Sequence, residues 1–157
     1  AQKGDQLDEG FEVVRQLGQG STGKALLVTR DRVEYVLKVA RGPDDNPRLR
    51  DEGEVLAKVR SAYVVGLHAV TEMHGRPVLV LDKAGDGTLA AHLREFGRCD
   101  LEWQERFGAD LLQALCDLEQ AGVFHRDVKP DNIGIRDGRQ RKQLVLFDFS
   151  LARAPLD

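Results

Sequence analysis

The eight residues from His125 to Asn132, with the sequence HRDVKPDN, constrain this chain more than any other stretch. Pro130 lacks a backbone N–H and clashes with a preceding helical turn, so this stretch cannot be the interior of a continuous helix. It brings a carboxylate, a cation and a side-chain amide close together in the sequence. A loop of this composition can hold a hydroxyl group, a phosphate and a metal ion near one another.

The residues before this loop predict a long helix that carries it. Asp100 is a candidate N-cap, and Gly122 suits the left-handed position that ends a helix. Apolar residues recur at helical spacing over 101–121, and this pattern predicts a buried stripe. The stripe comprises Trp103, Phe107, Leu111, Leu115 and Leu118, with Leu112, Ala114 and Ala121 beside it. Cys116 lies in the same pattern and is expected to be a small core residue.

The first half of the chain predicts mostly strands. Apolar and β-branched runs are expected to form five strands, over 11–17, 25–29, 33–40, 64–71 and 78–81. Asn46 and Pro47 are expected to be the N-cap and the first residue of an intervening helix. Glu52 shares the apolar face of that helix, and a carboxylate directed towards a core requires a cation. Lys38, near the end of the third predicted strand, is the natural partner.

A glycine-rich loop, GQGSTG, lies between the first two predicted strands, from Gly18 to Gly23. Followed by Lys24, it nearly matches the G-x-x-x-x-G-K-[ST] loop, which binds phosphates and Mg²⁺ at the start of a helix. Ala25 stands where that loop needs a hydroxyl, and the residues after it predict a strand. A hairpin whose backbone N–H groups cover a nucleotide fits better. A plain glycine-rich hairpin is the more frequent alternative for such a motif taken alone.

Two further patterns place the rest of the chain. Residues 82–87 are polar and rich in glycine, which indicates a boundary between two lobes. Thr88 is expected to cap a short helix after this link. Beyond the HRDVKPDN loop, residues 133–135 and 144–147 predict a short hairpin that ends in Asp148-Phe149-Ser150.

These elements, in this order, resemble the N-terminal part of a protein kinase of the bacterial, eukaryotic-like Ser/Thr type, over nearly the whole chain. The most specific part of the match is HRDVKPDN followed by an Asp-Phe pair 21 residues after Asp127. A weaker similarity, in residues 144–150, is to kinases of bacterial phage-defence systems. The resemblance implies an α+β, two-lobe fold. Its N-terminal lobe, over 1–82, has a five-stranded antiparallel sheet and one helix, and 83–157 form a hinge and a partial helical C-terminal lobe that ends early in the activation segment.

The resemblance also implies roles for the residues of the loop. Asp127 would accept or orient the proton of the attacking hydroxyl, and Lys129 would contact the transferred phosphate. His125 is expected to be structural, with its ring near Phe149 and Leu56. The two expected metal ligands, which bind Mg²⁺ through side-chain oxygens, are Asn132 and Asp148.

The resemblance places the nucleotide mainly against the first lobe. Lys38 would contact the α- and β-phosphates of ATP and have a catalytic role, and Glu52 would hold its ammonium group in place. The full set of expected nucleotide-binding residues is Gly18, Gly20, Gly23, Ala25, Val36, Lys38, Leu81, Asp82 and Ala84.

The implied function is ATP-dependent phosphoryl transfer to Ser or Thr hydroxyls of protein substrates. A nucleotide-binding pseudokinase or regulatory module is one alternative, favoured by Ser150, which replaces the glycine that usually follows Asp-Phe. This replacement leaves the metal ligand in place and is expected to act by reducing backbone freedom. A small-molecule kinase of the aminoglycoside or choline type is a second alternative, which Arg126, Lys129 and Pro130 disfavour.

Composition limits the choice of partners and compartment. Charged residues make up 31% and hydrophobic residues 41% of the 157 positions, as in an ordinary globular domain. A net charge of −3 gives no support for nucleic-acid binding. The two cysteines have no metal-type spacing to histidines, and there is no signal peptide or apolar run of membrane length. These features predict a protein of the reducing cytoplasm.

The ends of the chain suggest an excised piece of a larger protein with other domains. It begins at Ala1 without a methionine and ends seven residues after Ser150. By the resemblance, the helices that form a substrate platform would follow this point. The 157-residue chain by itself is therefore expected to bind nucleotide weakly and to phosphorylate no protein.

Overall fold

The computed structural model describes residues 1–19 and 23–154. The chain forms two compact units: Ala1–Leu56 with Gly66–Lys83, and Ala57–Val65 with Ala84–Asp157. In the described residues, the first unit has a five-stranded sheet and one α-helix, and the second has a three-stranded sheet and two α-helices. The predicted α+β class is therefore confirmed.

The sheet of the first unit is antiparallel throughout. Its strands are β1 (Glu12–Gln19), β2 (Gly23–Arg30), β3 (Val33–Ala40), β4 (Leu67–Met73) and β5 (Arg76–Asp82), in the spatial order β1-β2-β3-β5-β4. Asp31 and Arg32, between β2 and β3, both have positive φ, as do His74 and Gly75 between β4 and β5. Two consecutive left-handed residues match the twist of hairpin strands, so both connections are tight.

Alternation along these strands separates the two faces of the sheet. One face forms a buried core of Phe11, Val13, Leu26, Val28, Leu37, Met73, Val78 and Val80. The helix α1 (Asn46–Ala57) contacts Leu79, which is on the other face. A Cβ at Gly53 would lie only 2.8 Å from Cδ2 of Leu79, so a glycine at this position lets α1 approach β5 closely.

The predicted start of α1 is wrong by one residue. Asn46 has helical dihedrals, φ −56° and ψ −47°, whereas an N-cap residue is extended. The 3₁₀ turn Pro43–Asp45 leads directly into the helix, and the Asn46 N–H donates to the carbonyl of Pro43. Because Asn46 is already helical, its side chain does not cap, and its buried Oδ1 has no hydrogen-bond partner among the described residues.

The start of the fourth predicted strand is also wrong. β4 begins at Leu67, and Val64 instead makes a parallel bridge with Leu146 in the second unit. Val65 N–H donates to the Leu146 carbonyl at 2.9 Å, and Leu146 N–H donates to the Tyr63 carbonyl at 2.8 Å. The apolar run is therefore divided between two units, which its composition does not reveal. The other strand predictions agree with the structure to within two residues.

The second unit contains β6 (Gly87–Thr88), α2 (Leu89–Phe96), α3 (Leu101–Gln120), β7 (Ile133–Asp137) and β8 (Lys142–Leu146), with antiparallel strand order β6-β7-β8. The predicted caps are confirmed: Thr88 Oγ1 accepts from the Ala91 N–H at 3.0 Å, and Asp100 Oδ1 accepts from the Trp103 N–H at 2.8 Å. Gly122 has the expected left-handed backbone, with φ 71°.

The predicted buried stripe of α3 is only partly correct. The buried residues of α3 are Phe107, Asp110, Ala114 and Leu118, and α3 packs on β8. Leu112 and Leu115 are 66% and 39% exposed, and Cys116 is exposed, so the expectation that Cys116 is a core residue is wrong. The face that packs on β8 follows a spacing of three or four residues that includes Asp110. Apolar periodicity cannot detect a buried carboxylate. No helix in the described ranges is long and apolar enough to span a membrane.

Candidate active site

Lys38 and Glu52 form the predicted ion pair in the first unit. Lys38 Nζ lies 2.9 Å from Oε1 and 2.8 Å from Oε2 of Glu52, so it contacts both carboxylate oxygens. Glu52 is only 3% exposed, and Lys38 is partly buried. Lys38 lies opposite Leu79 in the sheet, and Leu79 is the residue that Gly53 of α1 approaches. The neighbouring residue Glu52 is thereby presented to Lys38.

Four of the expected nucleotide-binding residues share one face of the sheet. Lys38 on β3 is paired with Ala25 on β2, and Val36, two positions earlier, is paired with Leu81 on β5. Directly paired residues and residues two apart point to the same side of a sheet. Their role in binding adenine or phosphate remains a prediction.

The glycines of the predicted nucleotide loop differ in their surroundings. A Cβ at Gly23 would lie 1.9 Å from the carbonyl oxygen of Val39, so the pairing of β2 with β3 by itself requires a glycine there. A Cβ at Gly18 would meet nothing within 4 Å, so packing does not explain that glycine. Gly20, the middle glycine, lies outside the described residues.

The two remaining nucleotide-binding candidates lie at the end of the first unit and the start of the second. Asp82 is exposed, ends β5, and donates its N–H to the Gly66 carbonyl at 2.9 Å. Ala84 begins the second segment of the other unit, where its carbonyl oxygen would lie 2.0 Å from a Cβ at Gly134. This approach to β7 explains the glycine at 134, and nucleotide contacts at 82 and 84 remain predictions.

His125 anchors the start of the loop from within the second unit. The Asp127 N–H donates to Nδ1 of His125 at 3.1 Å, and Nε2 lies 2.9 Å from the carbonyl oxygen of Phe147. Because a carbonyl can only accept, this contact requires the proton on Nε2, while Nδ1 serves as the acceptor. The ring packs edge-on against Phe149, with centroids 4.7 Å apart. Both nitrogens are engaged by the backbone, as the predicted structural role requires.

Asn132 connects the end of the loop to Asp127. Its Nδ2 donates to the backbone oxygen of Asp127 at 2.9 Å and to Oδ2 of the same residue at 3.1 Å. Lys129 Nζ lies 3.7 Å from that Oδ2. Asn132 is 5% exposed, and its carbonyl accepts from the Phe147 N–H at 2.9 Å. The loop is thus closed on itself, and an amide and a cation orient the Asp127 carboxylate.

Asp148 has a left-handed backbone, with φ 59°. This conformation costs about 1–2 kcal/mol for most residues, but Asp tolerates it when its side chain hydrogen-bonds locally. Asp148 Oδ1 accepts from the Ser150 hydroxyl at 2.7 Å and from the Ser150 N–H at 3.2 Å. The expectation that Ser150 acts only through backbone freedom is therefore too narrow, because its hydroxyl contacts the predicted metal ligand directly.

Two supports of the site have no signal in the sequence patterns. Phe124, directly before the loop, forms an antiparallel bridge with Arg153, with both N–H···O bonds at 2.9 Å. Asp110 of α3, 1% exposed, accepts from Arg141 at 2.7 and 3.1 Å and from the Leu144 N–H at 3.1 Å. The hydrogen bond to Asp110 is the main reason that the pKa of Arg141 lies above its ordinary value. Arg141 lies between β7 and β8, so Asp110 ties α3 to this hairpin.

The hairpin β7–β8 joins the two predicted metal ligands. Asn132 directly precedes β7, and Asp148 follows β8 by two residues. One carboxylate and one amide suit Mg²⁺, which takes oxygen ligands and keeps water and substrate phosphates in its remaining positions. Because Nδ2 of Asn132 donates to Asp127, the amide oxygen is the atom that can bind a cation. The donor set therefore fits Mg²⁺.

Comparison with known proteins decides the family. Residues 11–155 match the family described as the protein kinase domain. This chain belongs to the protein kinase domain family. The five-stranded sheet with α1, followed by a partial helical unit, is the kinase fold that the resemblance predicted.

The chain is also similar to proteins whose names describe them as kinases. The chain is 37% identical over 182 aligned positions to the "Probable kinase PglW" of Streptomyces coelicolor, with 97% of this chain covered. It is 31% identical over 156 positions to "Ribosomal protein S6 kinase alpha-3" of Homo sapiens, with 94% covered, and 32% identical over 166 positions to "Ribosomal protein S6 kinase 2 alpha" of Xenopus laevis, with 100% covered. The chain spans 12%, 21% and 22% of the lengths of these three relatives.

Proposed function

We propose that this chain supplies nucleotide-binding and catalytic residues of an ATP-dependent kinase that phosphorylates Ser or Thr hydroxyls of proteins. The observation that carries the proposal is the closed loop in which Asn132 and Lys129 both contact the Asp127 carboxylate. Membership of the kinase family supports phosphoryl transfer as the reaction class. The names of the relatives support a kinase as well.

Asp127 orients the attacking hydroxyl and accepts its proton. The hydrogen bond from Asn132 Nδ2 to Oδ2 restrains the side-chain torsions of Asp127 and so holds its carboxylate in one direction. A positioned general base contributes about 10²–10⁴-fold to a rate. Phosphoryl transfer needs mainly positioning and charge stabilisation, and a fixed carboxylate supplies the first.

Lys129 and Lys38 supply positive charge at different parts of the nucleotide. Lys129 is half exposed, so it can turn from Asp127 towards the transferred phosphate. Lys38 is held by both oxygens of Glu52, which keeps its ammonium group in one place for the α- and β-phosphates. An ammonium group with a fixed position loses less entropy on binding a phosphate than a mobile one does.

Asn132 and Asp148 are the proposed ligands for Mg²⁺. When bound, Mg²⁺ neutralises phosphate charge as it develops during transfer. The chain contributes the two oxygen ligands and fixes their separation through β7, β8 and the hydrogen bond from the Phe147 N–H to the Asn132 carbonyl.

The wider context of the protein is also a proposal. The small share of each relative that this chain spans supports further domains in the whole protein. The two free cysteines and the near-neutral charge support a cytoplasmic protein without a nucleic-acid partner. The inactivity expected of the 157-residue chain alone remains a prediction.

The test is a transfer assay with a choice of acceptors. The full-length protein is given Mg²⁺ and ATP labelled in the γ-phosphate, with casein, an aminoglycoside or choline as acceptor. We expect label on protein, released as phosphoserine or phosphothreonine on acid hydrolysis. The Asp127→Ala variant should lose this label, whereas Asp131→Ala should keep it, because Asp131 is exposed and its carboxylate lies 3.9 Å from Arg94.

Other outcomes would identify the alternatives. Equal transfer by wild type and Asp127→Ala would contradict the proposal. Label on the aminoglycoside or choline but never on protein would indicate a small-molecule kinase. Binding of Mg·ATP without turnover would indicate a pseudokinase or regulatory module.

A further inference from the structure

Ser150 contacts the proposed metal ligand Asp148 in a way that a glycine cannot. Both donors of Ser150, its N–H and its hydroxyl, reach the same oxygen, Oδ1 of Asp148. The hydroxyl contact, at 2.7 Å, is the shorter of the two, and the N–H contact is 3.2 Å long. A glycine or alanine at 150 would keep only the longer one.

The backbone at Asp148 makes this contact important for the direction of its carboxylate. With φ 59°, Asp148 occupies a left-handed conformation, which Asp adopts more readily than most residues because its short side chain can hydrogen-bond locally. The following residue, Phe149, is 1% exposed and packs against His125, so the chain on that side is fixed. Ser150 therefore stabilises both the strained backbone and the orientation of one carboxylate oxygen.

We infer that the Ser150 hydroxyl is a positioning group for Asp148 and sets the affinity of this kinase for its divalent cation. The inference rests on the proposed function, since it requires Asp148 to bind the cation. Hydrogen-bond partners of a ligating carboxylate fix its orientation, and their loss costs about 10–100-fold in metal affinity or activity. The residue that departs from the usual Asp-Phe-Gly pattern thus supports metal binding.

The experiment measures cation binding directly. Mn²⁺ is titrated into the full-length protein in the presence of ATP, and bound Mn²⁺ is followed by electron paramagnetic resonance. We expect Ser150→Ala and Ser150→Gly to bind Mn²⁺ about tenfold more weakly than wild type. Ser150→Thr retains a hydroxyl and should come within about threefold of wild type.

Ser61 offers a matched control. Its hydroxyl donates to the carboxylate of Asp117 in the same unit, a serine–aspartate hydrogen bond outside the proposed site. Ser61→Ala should leave Mn²⁺ affinity unchanged, and Asp148→Asn should abolish most of it. Thermal unfolding without metal, recorded for every variant, separates weak binding from a loss of folded protein.

The outcomes separate this inference from the proposed function. Wild-type affinity in Ser150→Ala, or an equal loss in Ser61→Ala and Ser150→Ala, overturns the inference, while Asp148→Asn still reports on the metal site. Failure of Ser150→Thr to restore affinity also overturns it, because the hydroxyl would then not be the active group. If the wild type neither binds Mn²⁺ with ATP nor transfers phosphate, the proposed function fails and this inference fails with it.

Discussion

The predicted site residues of the two units are held in place in different ways. In the first unit, Lys38 and Glu52 sit on regular elements, β3 and α1, and one ion pair with two short contacts joins them. In the second unit, Asp127 and Asp148 lie on irregular backbone. Their geometry depends on hydrogen bonds to neighbouring residues and on left-handed dihedrals at Arg126 and Asp148.

The difference shows which side-chain arrangements follow from a repeating sequence pattern. Regular elements present side chains at fixed intervals, so a strand lysine and a helix glutamate can meet when one glycine lets the helix approach. An irregular loop has no such period, and a strained backbone conformation persists there only where the surrounding structure holds it. We therefore expect the loop to be more sensitive to small changes than the ion pair.

The largest loss should follow from opening the loop at Asn132. Asn132→Ala removes both hydrogen bonds to Asp127 and a proposed metal ligand, so phosphoryl transfer should fall by about 10²-fold or more. Asn132→Asp keeps an oxygen ligand but replaces the amide N–H donor with a carboxylate oxygen. This variant should retain Mn²⁺ binding and lose phosphoryl transfer. Asn46→Ala, which truncates an asparagine whose Oδ1 has no hydrogen-bond partner within residues 1–19 and 23–154, is the control in a steady-state transfer assay.

A smaller loss is expected from the ion pair of the first unit. Glu52→Gln keeps the shape of the side chain but removes the charge that holds Lys38, so the KM for ATP should rise about tenfold. Glu54→Gln, a change on the exposed side of the same helix, should leave the KM unchanged. If Glu52→Gln lowered kcat as much as Asn132→Ala does, the expected difference in sensitivity between the two units would be contradicted.

A substitution at Asp110 tests how much its contacts between α3 and the β7–β8 hairpin contribute to the stability of the fold. Asp110→Ala leaves the Leu144 N–H without its acceptor and removes the anion beside Arg141, which should lower the free energy of unfolding by about 2–3 kcal/mol. Thermal denaturation should show a loss of about 5–10 °C. Glu119→Gln, an exposed change on the same helix, should shift the midpoint little, and equal midpoints for the two variants would contradict this role.

The smallest expected effect is a difference in reactivity between the two cysteines, which tests only how these residues are packed. Burial, with a smaller effect from Asp100, raises the pKa of the Cys99 thiol above its ordinary value. A raised pKa means less thiolate at pH 8, so iodoacetamide should modify exposed Cys116 faster than Cys99, by at least about tenfold. Peptide mass mapping over time measures both rates. Faster modification of Cys99 than of Cys116 would contradict the burial of Cys99 just before α3.

The sequence patterns predict the parts of the molecule that have a period or a fixed motif. Strand alternation predicted the sheet, and the capping residues Thr88, Asp100 and Gly122 predicted the ends of the helices. The polarity of Glu52 on an apolar face pointed to Lys38 as its partner. These signals are local, so they survive in a single sequence.

The predictions that failed depend on contacts between distant residues. Asp110 is buried and bonds to a tertiary partner, Arg141, while Leu115 on the same helix is exposed. The 3₁₀ turn before α1 removes Asn46 from its expected capping role. The hydroxyl of Ser150 bonds to Asp148 where the backbone at Asp148 is left-handed, and no composition rule reports that hydrogen bond or that dihedral.

The most direct test of the central claim, that the loop is a catalytic device rather than a nucleotide-binding one, is a paired measurement on Asp127→Asn. The dissociation constant for Mg·ATP and the rate of phosphoryl transfer are measured on the same preparation, with Asp131→Asn as control. We predict a dissociation constant within about twofold of wild type and a transfer rate lower by at least about 10²-fold. A transfer rate equal to that of Asp131→Asn would contradict the account.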